Sequence, residues 1–249
     1  MQCVQQERCV FAQRCAALTA DSTVLTADST TPHTAPTHSS HMLSANAVHT
    51  ALTVCVNASD ASEQTAKGKK GAALREALLI ATKLPQCTPE ALLCWQEPEK
   101  DDMVRCWPRV AAHSSEAGSD VVVPAREDSA WKASYPIEQW HSENYANHYM
   151  NTAARELGGW EAPLDWHFGP LAFQAQHASL WLRSEGELWD AQCLPLVEAI
   201  KAGLRVTTVE VDFRASLEMK AEEEGDLGFV EKRLMQINYL DPKIKAAWG

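Results

Sequence analysis

Several things are scarce in this chain, and each scarcity excludes something. No apolar run approaches the roughly 18 consecutive residues that a membrane-spanning helix requires, so a bilayer crossing is not expected. Positive charge is short: 22 Lys and Arg against 33 Asp and Glu leave a formal net charge of −11. That balance argues against long-range attraction to nucleic acid or to an anionic membrane. Close cysteine pairs are missing. The 8 cysteines, at positions 3, 9, 15, 55, 87, 94, 106 and 193, include no C-x-x-C, which excludes the signatures of a zinc ribbon or a disulfide framework and favours reduced thiols. G-x-G-x-x-G, the phosphate loop, H-E-x-x-H, the EF-hand loop and the G-x-S-x-G elbow are all absent. No cofactor or metal is implied.

Aromatic residues are nearly absent from the first third. Phe11 alone precedes Trp95, and every other Phe, Trp and Tyr lies at or beyond it. Residues 16–66 are dominated by Ala, Ser and Thr, which bury too little apolar surface to offset the entropy of ordering. Residues 1–66 are therefore expected to be a disordered tail. Its first 20 residues contain Arg8, Arg14 and only one acid, Glu7, a composition compatible with an organelle transit segment. The location expected is cytoplasmic or an organellar matrix, mitochondrial or plastid. The echo of Thr19–Thr23 at Thr26–Thr30 is low complexity without a coiled-coil pattern.

Downstream, the chain punctuates itself. The basic stretch Lys67–Gly71 reads as a solvated linker. Leu74, Leu78 and Ala81 form an apolar stripe on a helix over 72–83, and Pro85 stops it. Thr88-Pro89-Glu90 carries the marks of an N-cap, first turn and dipole-complementing acid for a second helix through Trp95. Residues 67–110 are thus expected to be a helical hairpin and linker. The remainder, 111–249, is an acidic domain rich in Trp and His. Across the boundary, residues 96–130 look irregular apart from a strand at Val121–Val123. A long helix runs from Pro136 to Leu157 and stops at Gly158-Gly159. A loop over 160–170 leads to an amphipathic helix over 171–182. A helix beginning at Pro195 gives way after Gly203 to a β-branched strand ending at Phe213. Helices then cover 215–224 and 229–239, the last ending near Asp241-Pro242. The fold class expected is α+β or α/β: a compact, mainly helical domain with a small sheet.

The segment from Trp131 to Trp189 concentrates tryptophan and histidine. His141 and His148 are seven residues apart on one helix face, about 10.5 Å at the helical rise, too far to clasp one metal together. His141-Ser142-Glu143 matches the H-x-E of zinc deaminases, but the P-C-x-x-C that must follow is missing. The loop Gly158–Pro170 sets Glu161, Asp165 and His167 among Trp160, Trp166 and Phe168. Carboxylates beside aromatic surface can have raised pKa values, and indole faces can stack on ring ligands. Cys193 lies near a helix start, but Leu194 and Leu196 flank it and suggest a buried, inert thiol.

Two function classes follow. The leading one is a binding or structural subunit of a larger assembly, with protein partners and aromatic anchors at Trp95, Trp107 and Trp131 together with Trp160 and Trp166. Its rival is a hydrolase or lyase acting on a small polar ligand. There His141, His148 or His167 would be the general base and Glu161 or Asp165 the acid or orienting group.

Overall fold

The computed structural model describes residues 51–53, 70–97 and 99–249. The tail, transit-segment and seven-residue-echo readings fall outside these residues, except at Ala51–Thr53. Those three residues form β1, which pairs in parallel with β2, Leu92–Trp95.

A five-stranded mixed sheet in the order β1-β2-β4-β3-β5 runs through the domain. β3 is Val121–Arg126, β4 is Leu171–Gln174 and β5 is Val206–Val211. β4 is antiparallel to both of its neighbours, with Leu93 opposite Phe173 and Val122 opposite Ala172. β3 and β5 run parallel in register from Val121↔Val206 to Arg126↔Val211. The helices are α1 (Lys70–Ala81), α2 (Trp107–Ala117), α3 (Asp128–Ser134), α4 (Ile137–Gly158), α5 (Ser179–Leu182), α6 (Asp190–Lys201), α7 (Leu217–Glu223) and α8 (Gly228–Trp248). The protein is a mainly helical α+β domain with a small mixed sheet.

Both faces of the sheet are covered. Leu93, Trp95, Val121, Val123 and Phe173 point to a core completed by Leu74, Met150, Trp181, Val197, Leu240 and Ile244. The alternate residues Leu92, Cys94, Val122 and Ala172 join Trp107, Val110, Trp131, Tyr135, Phe168 and Phe213 on the other side. Side chains alternate across a strand, so a strand covered on both faces reads as a continuous apolar run. That explains two corrections. Thr88 to Glu90 caps no helix: Leu92–Trp95 is a strand buried along its whole length, and no helical hairpin forms. Likewise Leu171–Gln174 is strand, followed by a 3-10 turn at Ala175–His177, and α-helix begins only at Ser179.

Two further boundaries differ. Residues 107–117, read as irregular, form α2, with Pro108 in its first turn and only Trp107, Val110 and Ser114 buried. So narrow a buried face leaves the segment looking polar. α8 passes straight through Pro242. Proline deletes one backbone hydrogen bond, but Leu240, Ile244 and Trp248 are buried at four-residue intervals across it. Lys243 and Tyr239 also bind Asp190 on α6, so packing on both sides of the break outweighs the lost bond.

α4 and α8 pack side by side in the same direction. Glu143 bonds Arg233, the Tyr149 hydroxyl donates to Asp241, and a Cβ on Gly158 would lie 2.3 Å from the Trp248 ring. Glycine at 158 is therefore what lets the ends of these helices meet. Gly159, at φ 65°, ends α4 in the left-handed conformation that glycine adopts without penalty.

Candidate functional site

Under the contact between α4 and α8 lies a buried ion network. Arg126 ends β3 with its side chain 1% exposed. It donates from Nε and Nη2 to the two oxygens of Asp165, at 2.8 Å each, and from Nη1 to Glu143 at 2.5 Å. Trp131 stacks over the guanidinium at 3.7 Å, and Phe168 lies 4.9 Å away. Arg233 of α8 reaches the other Glu143 oxygen at 2.5 Å and also bonds Gln236. Two cations face two anions, and planar guanidinium forks suit this geometry.

Helix α4 places its polar partners every fourth residue. Glu143 is followed by Asn147, which donates to Asp165 at 2.7 Å and accepts from the His167 backbone N–H. Asn151 then binds both the N–H and the C=O of Leu164 and accepts from the Trp166 indole. Positions four apart share a helix face, so this stripe fastens the 160–168 loop to the helix.

Burial would raise the Glu143 carboxyl, but the charges of Arg126 and Arg233 overcome it and hold the group down at about 2. Burial, aided by the Arg233 charge, lowers His167 to about 4. The imidazole is therefore neutral near pH 7. Its Nδ1 faces Arg233 Nη1 at 3.5 Å, and its Nε2 is buried without a partner among the described residues. Glu143 has no proton to give at neutral pH, and Asp165 already accepts four hydrogen bonds, from Arg126 N, Nε and Nη2 and from Asn147.

The expected site residues separate into groups. Asp165 and His167 join the network, whereas His141, His148 and Glu161 lie exposed on the surface. His141 packs its ring edge-on against Trp140 at 4.6 Å. The expected anchors Trp95, Trp107 and Trp131 are corrected: all three are buried. Trp95 faces one core and Trp107 and Trp131 the other, because a large ring gains more by filling a two-faced core than by facing water. Trp166 is buried and Trp160 half-buried against the core. Cys193 is buried, as expected for an inert thiol. Among the described residues no group of three His, Cys, Asp or Glu is arranged to hold a metal. No helix among them is long and apolar enough to cross a membrane.

What the sequence reading missed is the surface above the network. His141, Ser142 and Tyr145 of α4 and Val230, Arg233, Leu234 and Ile237 of α8 line an open, largely apolar groove of about 200 Å³. Tyr145 is 61% exposed and Leu234 53% exposed. Arg233 belongs to both structures, lining the groove and bonding Glu143 beneath it. For the network beneath, the signal in the sequence is Glu143, Asn147 and Asn151 at a spacing of four, a polar stripe along one helix face. The fold and groove define an α+β domain with one helix pair left partly uncovered. Compared with known proteins, the chain significantly matches no family model, no curated protein and no solved structure.

Proposed function

We propose that this chain is a binding subunit that docks onto a helix of a protein partner through the α4–α8 groove. One observation carries the reading: Val230, Leu234 and Ile237 line the groove at spacings of four and three along α8, beside Tyr145 of α4. Apolar residues repeating at such intervals on an uncovered face are how a helix receives another helix. The docking side chains are these, and the tryptophans build the cores. The network below adds rigidity, which lowers the ordering cost of association.

Acid–base catalysis on a small polar ligand draws less support. Arginine pairing keeps Glu143 ionised, and His167 is too weak a base to be half-protonated near neutrality.

The test uses the full chain and a synthetic amphipathic helical peptide with leucine at its a and d positions and glutamine elsewhere. Fluorescence anisotropy is expected to show saturable binding. Leu234→Asp should abolish it while leaving the far-ultraviolet circular dichroism unchanged. Equal binding by both proteins, or none by either, overturns the reading.

A further inference from the structure

Resting on the docking reading, we infer that the partner helix is cationic, with Lys or Arg flanking its apolar seam. The seam on this chain extends beyond the groove. Leu227, Val230, Leu234 and Ile237 are spaced three, four and three residues apart, the a-d-a-d rhythm of a coiled coil, and Leu227 is 68% exposed. Nearly three turns of an uncovered a/d seam at the start of a helix specify a helical occupant rather than a small molecule.

Charge selects among helices. The positions flanking such a seam choose its partner by ion pairing. In this register Asp226 and Glu231 are two of them, both exposed and both acidic. The approach from α7 adds Glu218, Glu222 and Glu224, all exposed. None of these five acids is in a salt bridge with another described residue, although ion pairs are plentiful elsewhere on the surface. Lys220, Lys232 and Arg233 are the cations interspersed with them; Lys220 donates to the Ala133 carbonyl and Arg233 is paired with Glu143. Glu224 and Asp226 accept backbone N–H groups of Ile137 and Gly228 but meet no cation, so the charge at this corner is net negative.

The same charges disfavour a second copy of this chain. In a parallel pair Asp226 would oppose Glu231 of the other copy, which sets like charges across the seam, where they destabilise it. A basic helix meets an acid on each flank, Asp226 on one and Glu231 on the other, while Arg233, on the same flank as Asp226, is held by Glu143 beneath the groove.

The experiment compares three peptides of about 18 residues, long enough to hold a helix, with one leucine seam and polar positions of lysine, glutamine or glutamate. Binding to the full chain is measured at about 20 mM and at about 1 M salt, where the Debye length falls to about 3 Å. The lysine peptide is expected to bind about tenfold tighter than the glutamine peptide at low salt, a difference of about 1.4 kcal/mol, and the glutamate peptide weakest. The advantage should vanish at high salt and in the triple variant Glu222→Gln/Asp226→Asn/Glu231→Gln. Binding of the glutamine peptide with no gain from lysine would overturn this inference and leave the docking reading standing. Failure of all three peptides would overturn both. Two further outcomes overturn the cationic partner: a native mass of twice 27.5 kDa that Leu234→Asp returns to the monomer, and chemical cross-links from Lys232 to this chain's own residues 1–50.

Discussion

Asp165 meets Arg126 through both oxygens of its carboxylate and two nitrogens of the guanidinium, at 2.8 Å each, at a distance of 39 residues along the chain. This pair ties the end of β3 to the loop that follows α4. Removing one partner strands a buried charge, which costs about 3–5 kcal/mol. Asp165→Leu and Arg126→Met should each lower stability by about that much in urea denaturation. The double variant removes one charge of each sign and leaves Glu143 with Arg233, so it should be destabilised by at least about 1 kcal/mol less than the sum of the single variants. Strict additivity would show that the pair is not energetically coupled.

Acid should weaken the fold in two stages. His167 is lowered from 6.5 to about 4, so between those values the unfolded chain binds a proton that the folded chain refuses. Stability from this group is full above about pH 6.5 and is lost as pH falls toward 4. Glu143 is lowered from 4.5 to about 2, so its contribution is full above 4.5 and is lost as pH falls toward 2. The signs agree, and the windows follow one another. His167→Gln should flatten the denaturation midpoint between pH 6.5 and 4.5 while preserving the steeper loss below. A variant that still loses stability across the upper window to the same extent would remove His167 as its cause.

Long elements with one buried face were legible from the residues alone. α4 was placed by Pro136 and Gly158-Gly159, and β5 by its β-branched run, because local chemistry and tertiary packing agree there. The elements that failed were those in which packing overrides a local signal. Leu92–Trp95 follows an apparent N-cap, yet the sheet needs a strand buried on both faces. α8 contains Pro242, yet Leu240 and Ile244 hold the helix across it. For the site, Asp165 and His167 were singled out from their aromatic loop, but the loop does not name what it docks against. Arg126 and Arg233 come from β3 and α8, and no spacing in the sequence joins residues brought together by topology. The groove was missed for a related reason: Leu227 to Ile237 looks like any core-facing stripe until the opposite face of α8 is known to supply the core.

The thiols offer a check on the cores. Burial raises Cys193 to about 12, and burial likewise brings Cys106 to about 11. The thiolate is the reactive species, so both should resist a maleimide at pH 8 in the native state and react once the protein is unfolded in guanidinium. Peptide mass spectrometry after timed labelling reads each site separately. Native labelling of Cys193 at the rate of a free thiol would contradict the packing of α6 against the sheet.

Leu234 and Leu240 sit on the same helix, six residues and about 240° apart, and they separate the two roles of α8. Leu240 is 1% exposed in the core, whereas Leu234 is 53% exposed in the groove. An exposed leucine contributes little to folding, so Leu234→Asp should shift the unfolding free energy by no more than about 0.5 kcal/mol. Leu240→Ala, by contrast, leaves a cavity in the larger core and should cost about 2–5 kcal/mol. Thermal and urea denaturation of the two variants give the comparison directly. A large loss at Leu234 would mean that this side chain is covered in the folded protein and that the groove is already filled. A small one is what an open groove requires.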